Sequence, residues 1–168
     1  MRLGSLVLAA LVFASLATGC GGRGRIITSH GVRVVVPSGW QRVHVARPGP
    51  VSDPRTLLVV GTAGVRPQAF HCEIAAYHLP PSGAVVVVVG WKSIASAGGG
   101  PWKRGRGPLK SLIAVHRPSF ECFTGRGAAS TVLLDETPYQ VNVMVGDRAS
   151  KTRVKEALAI ARSFDLAR

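Results

Sequence analysis

At 168 residues, 46% hydrophobic and with a formal charge of +13, the chain has the length of one ordinary domain with a real hydrophobic core, and a second domain is not needed. Its 21 Lys and Arg against 8 Asp and Glu favour anionic partners, although charge alone does not separate a tuned surface from a merely solvated one.

Residues 1–19 read as a secretory leader. Arg2 supplies the positive region, and Leu3 to Ala17 (LGSLVLAALVFASLA) supplies the apolar segment. Ala17-Thr18-Gly19-Cys20 resembles the lipobox of bacterial lipoproteins, in which small residues fit the peptidase and the thiol receives a diacylglycerol; Ala17 stands where that motif more often has Leu. The competing readings are an ordinary signal peptide with an incidental Cys20, and an uncleaved anchor, which needs about 20 apolar residues. The mature chain is therefore expected to begin at a lipidated Cys20 on the extracytoplasmic face of the cell membrane. Residues 20–30, with Gly21 to Arg25 (GGRGR), read as a flexible tether, and residues 31–168 as one globular domain. With Arg2 removed, 20 basic residues face 8 acidic ones and the mature charge is +12. Outside the cell that surplus points to phospholipid headgroups or acidic wall polymers rather than nucleic acid.

The pattern downstream is mostly β. Strands bounded by Pro and Gly are expected at Val32–Val36, Gln41–Ala46, Thr56–Gly61, Phe70–Leu79, Ala84–Trp91, Ser119–Thr124, Ala129–Asp135 and Tyr139–Val145. Leu109–Val115 suits either a strand or a short helix. Pro80-Pro81-Ser82-Gly83 is expected to turn one strand back onto the next. The unbroken run Val85 to Val89 lacks alternation, which predicts a central strand covered on both faces.

Near the C-terminus Val154, Leu158, Ala161 and Phe164 share one helical stripe, with Asp147 or Ser150 available as the cap. Together these elements predict an α+β fold: one antiparallel sheet of about six to eight strands with a C-terminal amphipathic helix packed on one face.

Val36-Pro37-Ser38-Gly39-Trp40 after an early strand, the antiparallel meander, and a closing helix ending Ala161-Arg162-Ser163-Phe164 resemble the PsbP-like domains of small actinobacterial lipoproteins of the LpqN type. That resemblance implies a sheet-and-helix scaffold serving binding or accessory roles, without a shared catalytic site. Its functional residues do not carry over, and the chain departs from the pattern by a cysteine pair and a basic insertion.

Once Cys20 is spent on lipid, Cys72 and Cys122 remain, and an even pair in an oxidising compartment predicts a disulfide. Alternation sets Phe70, Cys72 and Ile74 on one side of a strand, and Phe120 and Cys122 on one side of another. Closing that loop contributes about 4 kcal/mol in the chain-entropy model. If the two strands pair antiparallel in that register, Glu73 faces Glu121. Opposed carboxylates call for a cation, a shared proton or a nearby arginine.

The insertion at residues 92–108 (KSIASAGGGPWKRGRGP) is long for a connection in a compact domain. Trp102 beside Lys103, Arg104 and Arg106 forms a candidate contact to an anionic membrane surface, with a solvated loop as the alternative. Neither G-x-x-x-x-G-K-[ST] nor a G-x-G-x-x-G after a strand occurs, and the G-x-S-x-G elbow and the H-E-x-x-H metal pair are absent as well. His30, His44, His71, His78 and His116 are scattered; His71 and His78 lie an odd number of residues apart on one strand and face opposite ways. No metal, cofactor or catalytic residue is expected. The functional expectation is a non-enzymatic, membrane-anchored binding or envelope-accessory module. The alternatives are a secreted hydrolase working through Glu73 and Glu121, and a purely structural envelope protein.

Overall fold

The computed structural model describes residues 24–45, 53–68, 77–98, 102, 104–105 and 125–168. The strands among them are β1 (Arg25–Ser29), β2 (Val32–Val36), β3 (Trp40–Arg42), β4 (Arg55–Thr62), β5 (Arg66–Pro67), β6 (Tyr77–His78), β7 (Ala84–Gly90), β8 (Arg126–Leu134), β9 (Thr137–Val145) and β10 (Asp165–Leu166). One helix, α1 (Lys151–Arg162), precedes β10.

The largest sheet has five strands in the order β3-β4-β7-β9-β8, and every neighbouring pair is antiparallel. The valine-rich β7 is its middle strand and is buried at every position. A strand so placed cannot show polar alternation, because each face meets protein. Val86 and Val88 enter one buried cluster with Leu58, Val60, Val141 and Val143. Val85, Val87 and Val89 enter another with Val59, Met144, Val43 and Tyr77.

The first cluster also contains Ala157, Leu158, Ile160 and Ala161 of α1, Phe164 just beyond it, and Ile27, Val32, Val34 and Val36 of β1 and β2. Helix and hairpin thus share one side of the large sheet. Ser150 caps α1, its hydroxyl accepting from the Arg153 amide at 3.1 Å, as a short polar side chain at the N-cap does. Phe164 is fully buried and tilts against the Tyr139 ring at 5.5 Å. Burial raises the Tyr139 phenol above its usual pKa; the hydrogen bond with Thr137 opposes the rise, and the charge of Asp135 adds to it.

The expectation of an α+β fold built on one sheet of six to eight strands is corrected by this arrangement. Among the described residues ten strands are divided among three sheets, with β1-β2-β10 and β5-β6 separate from the five-stranded one. The cause is local. Pro37 ends the β2 ladder because it has no amide proton, and Gly39 (φ +79°) then turns the chain toward β3 in another sheet. The free edge of β2 is taken by β10, with Asp165 opposite Arg33 and Leu166 opposite Val32.

Other departures are smaller. Arg25–Ser29, read from the sequence as tether, is strand β1 and pairs with β2. The turn after Pro80 forms, with the Gly83 amide donating to the Pro80 carbonyl at 2.8 Å. It does not make a hairpin, because β6 pairs with β5 while β7 pairs with β4 and β9. Gly146 lies against this turn, where an added Cβ would stand 2.2 Å from the Pro81 carbonyl oxygen. The strand expected at Ser119–Thr124, the segment Leu109–Val115 and most of Phe70–Leu79 lie outside the described residues.

Phe164→Ala is expected to destabilise the domain by about 3–5 kcal/mol, the range for a fully buried aromatic truncated in a core. Urea unfolding should show a lower midpoint with an unchanged slope.

Candidate functional site

The polar constellation that stands out among the described residues lies at the tip of the β1–β2 hairpin. His30 and Gly31 are the two central residues of that turn, and both have positive φ, +46° and +76°. This is the pattern of a tight turn that follows strand twist and usually takes Asn or Gly at its first central position. His30 therefore holds a left-handed backbone, which His tolerates better than most non-glycine residues.

Its side chain is fixed from two directions. Nδ1 lies 2.9 Å from the Ser29 hydroxyl and 2.9 Å from the Leu57 carbonyl oxygen. A carbonyl oxygen only accepts, so the network assigns the proton to Nδ1. Nε2 is thereby the ring nitrogen left to meet a ligand, as an acceptor in the neutral ring and as a donor in the imidazolium.

The Leu57 carbonyl is available because the β4–β7 register shifts between Thr56 and Leu58. Such a bulge takes one residue out of the ladder and redirects its backbone groups. Arg42 is anchored in turn, its Nη2 donating to the Ser29 hydroxyl at 2.9 Å. Ser29 itself is buried, at 6% exposure. Alternation along β3 and the residues after it sets Arg42 and His44 on the same side. His30, Arg42, His44 and Val45 together line an open cleft of about 580 Å³.

The charge here is one-sided. Elsewhere Arg33 pairs with Asp165 at 2.8 Å and Arg153 with Glu156 at 2.8 Å, and Glu156 also accepts from the Trp40 indole at 3.0 Å. In the cleft Arg42 meets a neutral hydroxyl. None of the described carboxylates, Asp53, Asp135, Glu136, Asp147, Glu156 and Asp165, is among its described lining residues. Such a set of donors suits holding an anion.

The residues singled out from the sequence fall elsewhere. Trp102 packs edge-on against Trp91, ring centres 5.6 Å apart, and its indole N–H is buried without a hydrogen-bond partner. Arg104 makes a two-pronged pair with Glu136, and the Gly105 amide donates to the Leu133 carbonyl at 3.0 Å. A headgroup contact by Arg104 would have to displace Glu136. Lys103, Arg106, Cys20, Cys72, Cys122, Glu73 and Glu121 lie outside the described residues, as do His71 and His116. Among the described residues no group of three His, Cys, Asp or Glu is placed to hold a metal ion.

Sequence reasoning passed over the cleft because it treated the histidines as scattered and residues 20–30 as tether. Two signals were present: a polar residue before Gly31 between β-rich runs, and the spacing of two between Arg42 and His44. No family model matches the chain and no curated protein matches it.

The Arg104–Glu136 pair is exposed on both sides, 72% and 65%, and exposed pairs contribute little. Arg104→Ala is expected to cost less than about 1 kcal/mol in urea unfolding.

Proposed function

We propose that this protein is a lipid-anchored extracytoplasmic module that binds rather than transforms its ligand, with the hairpin-tip cleft as its binding face. The observation that carries the reading is the leader ending Ala17-Thr18-Gly19-Cys20, followed almost at once by folded chain: β1 begins at Arg25. Five residue steps span at most about 17 Å. A lipid on Cys20 therefore holds the base of the β1–β2 hairpin close to the bilayer.

The local packing suits that placement. An added Cβ on Gly24 would stand 2.5 Å from Val35 Cγ1, so the chain enters β1 flat against Val35. Val35 and its cross-strand partner Ile26 are the exposed large hydrophobics, at 41% and 58%. Among the described residues no helix is long and apolar enough to cross a membrane, and attachment in this reading comes from the lipid.

Cys20→Ser is expected to release the protein from the membrane fraction while the wild type stays there. A variant that remains on the membrane and retains residues 1–19 would instead mark an uncleaved anchor. For the exported wild type, thiol titration under denaturing conditions should find Cys72 and Cys122 unreactive until a reductant is added. Two reactive thiols without reductant would show that the pair is not bonded.

A further inference from the structure

We infer that the cleft formed by His30, Arg42 and His44 is a binding site for a phosphate group. This deepens the binding-module reading and rests on it for the ligand's setting, since an anchored extracytoplasmic domain stands among phosphate-bearing headgroups. The chemistry of the site stands by itself.

Two separate segments bring these side chains to one place. The hairpin tip supplies His30, β3 supplies Arg42, and the residue two beyond supplies His44. Arg42 is held at one nitrogen by Ser29, which leaves the rest of its planar fork for an oxyanion. His30 is held at Nδ1 by Ser29 and Leu57, which fixes the ring; with Nδ1 occupied, Nε2 donates to an oxyanion in the imidazolium form, the form this site requires. Groups anchored before binding lose little freedom when the ligand arrives.

Phosphate fits better than a planar carboxylate because the donors approach from different elements, and a tetrahedral group offers oxygens in several directions. Openness of the cleft suits a phosphate carried on a larger molecule.

The full chain, extracted from membranes into neutral detergent, is titrated with inorganic phosphate and separately with glycerophosphoglycerol, a soluble diester headgroup. Binding is followed by calorimetry and by the histidine ring NMR signals. Saturable binding is expected, with the His30 and His44 signals moving together. Tighter binding of inorganic phosphate assigns the site to a free or terminal phosphate, and tighter binding of the diester assigns it to a lipid headgroup.

Arg42→Gln and His44→Gln should each weaken binding about tenfold or more, the scale of one charge-assisted hydrogen bond. His30→Asn should do the same while keeping the turn, because Asn tolerates the left-handed region. Arg148→Gln, which removes one charge from a residue outside the cleft, should leave binding unchanged. Equal weakening by Arg148→Gln, or no saturable binding of either probe up to about 50 mM, a level beyond any useful affinity, overturns the proposal. Because the extracted chain is used whatever anchors it, this outcome is separate from the fate of Cys20→Ser.

Discussion

Complete burial of β7 is the constraint on which the rest of the structure depends. Val85 to Val89 expose at most 1% each, and a strand with no polar face must be covered on both sides. At about 1.5–3 kcal/mol for each buried aliphatic side chain, leaving either face open would forfeit about 3–9 kcal/mol, a large part of the net stability of a domain. One side receives α1, Phe164 and the β1–β2 hairpin. The other receives Val43, Val65 and Tyr77, with Trp91 packed at its margin. Thr62 and Asn142 are the buried polar residues described in this sheet, and the latter is incompletely bonded. Its amide donates to the Val87 carbonyl at 3.5 Å, a long contact, and Oδ1 is buried without a partner, a loss of about 1–3 kcal/mol.

Covering that sheet also builds the cleft. The hairpin must lie over the edge formed by β3 and β4 for Ile27, Val34 and Val36 to reach the shared core. Its tip then arrives at Leu57, where the bulge has freed a carbonyl. His30 takes that carbonyl as partner, and Arg42 on the edge strand reaches the Ser29 hydroxyl beneath it. The cleft thus arises where two sheets meet, supported by contacts whose main contribution is to the fold. Among the described residues Arg42 has no carboxylate partner, unlike Arg33, Arg104 and Arg153.

The surplus of positive charge is consequently uneven in effect. Paired cations on the surface contribute little to stability and present little field. An unpaired guanidinium beside two imidazoles concentrates its attraction in one cleft, and long-range attraction by the remaining surplus raises the local concentration of anions around it. Trp102, prominent in the sequence because cations surround it, is occupied with Trp91.

The sequence by itself determined the central position of the valine run and the helix near the C-terminus, with Asp147 or Ser150 as its cap, and it supplies the expectation of a leader ending at a candidate lipidation site. Each rests on a short-range pattern: an apolar stretch of fixed length, a strand without alternation, a stripe at helical spacing. Tertiary structure alone decided how the strands divide into three sheets, that β10 closes the edge of β2, and that Ser29, His30, Arg42 and His44 come together. The join between hairpin and sheet depends on where Pro37 and Gly39 send the chain in space. The anchoring of His30 depends on a one-residue bulge in β4, set by pairing with a strand about 30 residues away. Neither leaves a periodic trace in the residues that carry it, because a carbonyl oxygen is common to every residue and only packing determines which one is left free.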